Sequence, residues 1–215
     1  MFKDKDEEKL ARTIVKQISL QLLATGELSK GDFNTDALFK KVKQFTSSPT
    51  EMQFVIDHRD GILNVATSFF ENKKYNFAII FYAMYFEHAI NELITRTIEK
   101  RNISKKAKIE LIRYVNIHGK FTWLLELLEL PAFNEKHRKV VLKTSDERNA
   151  IVHYKWKPLI EKRYDDEKEQ KVELLEQIRK TVTYTKRYGS KVLYGNKKGK
   201  LTKLLCEKKP QRRCR

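Results

Sequence analysis

Residues 77–94, FAIIFYAMYFEHAINELI, would cover nearly the whole circumference of a helix with Phe, Ile, Tyr and Met. A helix that is apolar all round is packed on several sides. This stretch therefore predicts a central helix, and a fold built around it is one of helices on helices. Its aromatic rings read as core and not as a platform for stacking bases. Composition agrees, because 7 glycines and 4 prolines among 215 residues, with 34% charged residues, suit long helices better than a turn-rich sandwich. The expected class is all-α: a helical bundle with a small N-terminal helical extension and a basic C-terminal tail.

Apolar spacing outlines the other elements. Leu10, Ile14, Ile18 and Leu22 recur every fourth residue and predict a first amphipathic helix over 6–25, punctuated by Gly26 and Gly31. Asn34 caps a short helix through Phe45, and Ser47-Ser48-Pro49 closes that section. Residues 1–48 are thus expected as the extension and 49–189 as the bundle. From Thr50 the pattern becomes dense, with Val55, Ile62, Ala66 and Phe69 on one face of a helix ending near Asn72. Two shorter helices are expected over 104–117 and 121–130, stopped at Pro131. A helix from about Asn134 carries TSDERNAIVHYKW. In it Thr144 and Glu147 match a capping box, which either restarts the helix at 145 or is overridden by a helix running straight through. Pro158 opens a last long helix with the stripe Val172, Leu175, Ile178, Val182, ending at Gly189. Residues 190–215 are expected as a flexible tail; from Gly195 on it has nine basic residues and one acid, Glu207. It reads either as an electrostatic arm for RNA or as a solvated end.

The chain carries 45 basic and 28 acidic residues, a net charge of +17. A field of that sign draws polyanions. Nucleic acid leads the candidate partners, an anionic membrane follows, and a solubilising surface is the plain alternative. Phe77 to Phe86, the longest apolar run, is half as long as a membrane span requires. The beginning, MFKDKDEEK, is unlike a signal or transit peptide. A cytoplasmic location without membrane association is the expectation. Cys206 and Cys214 both lie in the last ten residues and make no CxxC pair.

Most catalytic patterns fail: there is no Gly-rich phosphate loop, no HExxH and no GxSxG. Histidines 58, 88, 118, 137 and 153 are dispersed and lack metal-ligand spacing. No metal or cofactor is expected. Abundant carboxylates single out no catalytic pair. What remains is Arg148-Asn149-Ala150-Ile151-Val152-His153. With 13 arginines and five histidines that spacing alone is a weak signal, and Arg113 with His118 repeats it. Three features separate the two. Arg148 is followed by polar Asn149, which shares a helical face with His153 four residues on, whereas Arg113 is followed by Tyr114. Ile151 and Val152 give apolar anchors beside the ring. Glu147 and Thr144 surround Arg148 with orienting groups. On an ideal helix Arg148 lies about 140° from His153, so its side chain must wrap or a second chain must meet it.

RNAIVHYKW resembles the signature of HEPN domains (higher eukaryote and prokaryote nucleotide-binding), whose ribonuclease members carry Arg, a polar residue, then His after four to six intervening residues. The order of a long helix, an aromatic-rich central helix, shorter elements and a penultimate motif helix is similar over roughly residues 50–187. The resemblance implies a bundle that forms a homodimer with a composite active site, two Arg/His pairs facing one RNA-binding cleft. It implies metal-independent endoribonuclease activity, with the 2′-hydroxyl attacking the adjacent phosphate to leave a cyclic phosphate. It also implies a toxin or antiphage-defence effector with an antitoxin or defence-system partner protein. In that chemistry His153 takes or gives the proton. Arg148 grips phosphate oxygens with its planar fork, and Asn149 orients the histidine or hydrogen-bonds the substrate. Members often place a polar or acidic residue on the central helix near the motif. Glu87, which interrupts that helix with Asn91 one turn later, is therefore the fourth candidate catalytic residue; a structural ion pair, with Arg148 among its possible partners, is the other reading. Some HEPN toxins have a Tyr two residues after the His that a partner antitoxin modifies. Here Tyr154 is adjacent and Lys155 takes the second position, which speaks against that mode of neutralisation. A non-catalytic HEPN-like module that binds RNA or nucleotides, or a protein-interaction subunit, is the alternative function.

Overall fold

The computed structural model describes residues 5–28, 32–47, 57–153, 161–195 and 197–206. Every element among them is a helix: α1 Lys5–Thr25, α2 Thr35–Thr46, α3 Arg59–Glu71, α4 Tyr75–Lys100, α5 Lys105–Tyr114, α6 Ile117–Lys120, α7 Trp123–Leu127, α8 Glu135–Val152, α9 Glu161–Tyr194 and α10 Lys197–Cys206. Gly31, Ser48, Pro49, Thr50, Val55, Tyr154, Lys155 and Pro158, and the end of the chain from Glu207, lie outside the described residues. The chain divides into two compact units, one made by residues 1–55 with 190–215 and the other by 56–189.

In the second unit α4 is the central helix that its composition predicts, although not every ring is core as expected: Phe77, in its first turn, is 54% exposed. Ala78, Ile79, Phe86, Ile94 and Ile98 are all at most 1% exposed, and each fully buried Ile or Phe side chain contributes about 1.5–3 kcal/mol. Around it the helices alternate in direction. Arg59 at the start of α3 pairs with Glu92 of α4, while Phe69 near its end stacks on Phe77 and Phe81 at 5.2 and 5.4 Å. The helices α3 and α4 are therefore antiparallel. Lys186 of α9 reaches Asp60 at 3.1 Å, and Arg179 sits over the Phe70 ring at 5.3 Å, so α9 is antiparallel to α3.

The direction of α8 follows from chain reach. His137 in its first turn bonds Thr181 and stacks on Tyr184 at 4.2 Å. If α8 ran parallel to α9, the end of α8 and the start of α9 would be on the order of 50 Å apart. The eight residue steps from 153 to 161 span at most about 29 Å. The two helices are antiparallel, and α3, α4, α8 and α9 form an up–down–up–down arrangement. One end of the unit holds the first turns of α3 and α8. The other holds the α3–α4 turn, the last turn of α8, and α9 around Lys168 and Lys171. Phe133, ahead of α8, meets Phe121, Tyr184 and Tyr188 edge-on at 4.9–5.0 Å, and Tyr188 donates to the Pro131 carbonyl at 2.5 Å.

Several boundaries differ from the sequence reading. The stretch 104–130 holds three helices rather than two, because the Asn116 side chain accepts from the Gly119 N–H at 2.8 Å and starts α6. Thr144 does not restart α8. Its side chain is buried and its hydroxyl donates to the Val140 carbonyl four residues back, at 2.7 Å, so the helix runs through the capping-box match. Gly189 does not stop α9 either. The turn comes at Gly195, whose φ of +56° is the left-handed conformation that glycine takes without strain.

The first unit packs α1, α2 and α10 around Ile18, Leu22, Leu38, Val42 and Leu201. On α1 the predicted stripe is buried at Ile18 and Leu22, but Ile14 is 37% exposed. Asn34 caps α2 as expected, its side chain accepting from the Ala37 N–H at 2.8 Å. Residues 197–206, within the stretch expected as a flexible tail, instead form α10, and Leu201 explains it: an apolar side chain only 1% exposed in this core anchors an otherwise basic segment.

Candidate functional site

Arg148, Asn149 and His153 occupy the last turn and C-terminal boundary of α8. The helix reaches this point unbroken because Val140, Val141 and Thr144 are buried along its inner face. His153 is the C-cap, with φ −96° and ψ 20°, and its backbone N–H donates to the Asn149 carbonyl at 3.0 Å. Its imidazole is on an exposed residue, one step beyond the last helical position.

Arg148 is half-buried, and its Nη1 donates to Asn149 Oδ1 at 2.8 Å. That bond joins the guanidinium to the neighbour which, on an ideal helix, shares a face with position 153. An arginine has five N–H donors, and this bond takes one of them. The fork keeps capacity for an anion, while the Asn149 amide retains its two N–H donors.

Glu87 is not with this group. Lys120 Nζ lies 3.9 Å from Glu87 Oε1, and the same ammonium donates to the Ile112 carbonyl at 2.8 Å. The Lys120 side chain is 2% exposed; burial pulls its pKa below the usual lysine value, and the Glu87 charge opposes that shift. Along α4, Glu87 is nearer Glu92, at the α3-start end, than Phe77, at the α8-terminal end. The ion pair considered for Glu87 thus exists, with Lys120 as the partner and not Arg148. Asn91, one turn later, has a buried Oδ1 without a hydrogen-bond partner among the described residues. Sequence reasoning missed Lys120; its only signal was a lysine between the apolar positions Val115 and Phe121 of a short segment.

Arg113 and His118, the competing match, are separated by the break between α5 and α6. Asn116 caps α6 between them, so they share no helical face. Among the described residues no three His, Cys, Asp or Glu side chains cluster as metal ligands, and no helix is long and apolar enough to cross a membrane. No protein-family model, curated protein or solved structure matches this chain.

Proposed function

We propose that this protein is a metal-independent endoribonuclease of the HEPN type, with Arg148, Asn149 and His153 as its catalytic group. The observation that carries the reading is the Arg148–Asn149 hydrogen bond beside an exposed His153 at the end of α8. Arg148 supplies a permanent cation and His153 a proton-transfer group, both at the end of α8. The alternating four-helix arrangement supports the same reading, and the net charge of +17 favours RNA as the partner.

The reaction uses only these groups. The ribose 2′-oxygen attacks the adjacent phosphorus and forms the O2′–P bond, while His153 accepts the hydroxyl proton. Arg148 holds the non-bridging oxygens as negative charge builds on them. The P–O5′ bond breaks, and the leaving oxygen takes a proton from an imidazolium, supplied by the partner subunit's His153 in a homodimer. The products are a 2′,3′-cyclic phosphate and a 5′-hydroxyl. Glu87 stands outside this proposal, since Lys120 holds it at a different level of the bundle.

The test is RNA cleavage in EDTA. Wild type is expected to cut, and His153→Ala or Arg148→Ala to lower the rate by about 10²-fold or more while circular dichroism remains unchanged. Full activity in either variant overturns the assignment.

A further inference from the structure

At the end of the second unit where α8 terminates, a cavity of ≈ 330 Å³ is lined by Lys73 and Lys74 of the α3–α4 turn, Tyr75 and Phe77 of α4, and Lys168 and Lys171 of α9. Among the described residues no carboxylate lines it. Among the described residues none of the four lysines has an acidic partner. Four like charges around one cavity repel each other and favour a polyanion that neutralises them. The first turn of α4 contains no acid, and Lys74 provides no side-chain cap, so the helix N-terminus adds its positive end to the same field. The cavity also has an apolar element. Phe77 is 54% exposed although it stacks on Phe69, and Tyr75 leans on Phe70 at 6.1 Å. A positively charged groove with aromatic faces is what binds single-stranded nucleic acid, through phosphates and stacked bases respectively.

We propose that this cavity seats a nucleotide of single-stranded RNA, with phosphates on Lys73, Lys74, Lys168 and Lys171 and a base against Phe77. Its role as a substrate subsite rests on the ribonuclease reading, because it lies at the same end of the unit as Arg148 and His153. The cavity then anchors the strand on one side of the phosphate that is cut.

Anisotropy of a short fluorescein-labelled, 2′-O-methylated single-stranded RNA separates binding from cutting. The Lys73→Gln/Lys171→Gln double variant is expected to bind at least about tenfold more weakly, with the slope of log affinity against log salt reduced by about 1.4. Phe77→Ala is expected to weaken binding at unchanged salt slope, since no charge is removed. Lys105→Gln/Lys106→Gln on α5, the charge-matched control, stays within about twofold of wild type. Equal affinity and slope in the cavity variant and wild type overturn the site. If wild type nevertheless cuts RNA through His153, the ribonuclease reading stands without it. Lysine-dependent binding by a wild type that cuts nothing keeps the site and overturns the ribonuclease reading. Displacement of the RNA by a nucleoside triphosphate, at concentrations where inorganic triphosphate has no effect, reassigns the cavity to a free nucleotide and overturns the strand proposal.

Discussion

Two ionic arrangements in the second unit have opposite characters. Arg148 shares its guanidinium with a neutral amide and keeps donors for an incoming anion. Lys120 is buried, bonded to a backbone carbonyl and set near a half-exposed carboxylate, the pattern of a group that holds structure together. The consequences are measurable. Glu87→Gln should alter stability by no more than about 1 kcal/mol, as for other partly exposed pairs, and leave RNA cleavage near the wild-type rate. Lys120→Ala removes a packed aliphatic stem and leaves the Ile112 carbonyl unpaired, so about 1–3 kcal/mol should be lost in urea unfolding. A folded Glu87→Gln variant with no cleavage would return Glu87 to the catalytic group.

Helix by helix, agreement between sequence and structure depends on the range of the interaction that decides. Local signals carried through: Asn34 caps α2, the all-round apolar character of 77–94 is the centre of α4, and Leu175 and Ile178 of the α9 stripe are fully buried. The placement of Arg148, Asn149 and His153 at the end of one helix carried through, because one turn of helix relates them. Signals that tertiary packing overrides did not carry through. Thr144 is buried and bonds backwards instead of capping, and Leu201 fixes α10 in a core made by residues far away in sequence. The meeting of Lys73 and Lys74 with Lys168 and Lys171, and of Glu87 with Lys120, is set by tertiary packing, and no local pattern encodes it. Gly189 gives a direct check at this scale. It sits inside α9, and a Cβ added there would meet nothing within 4 Å. Gly189→Ala should therefore stabilise the protein by about 0.5–1 kcal/mol, read as a higher denaturation midpoint. A lower midpoint would mean that the helix needs glycine at this position.

For the molecule as a whole, the excess positive charge favours polyanions without choosing a bond to cut, and in the proposed reaction that choice falls to the end of α8. One chain presents one imidazole there, while the proposed reaction needs a base and an acid on opposite sides of a phosphate, which two copies supply. Mixing tests this. Wild type unfolded and refolded in EDTA with an equal amount of His153→Ala protein should lose about half of its RNA cleavage, because about half of the wild-type chains then sit in mixed dimers that hold a single imidazole and lack either the base or the acid. Undiminished cleavage per wild-type chain, with mixed dimers demonstrably formed and wild type active after the same treatment, would contradict the composite site.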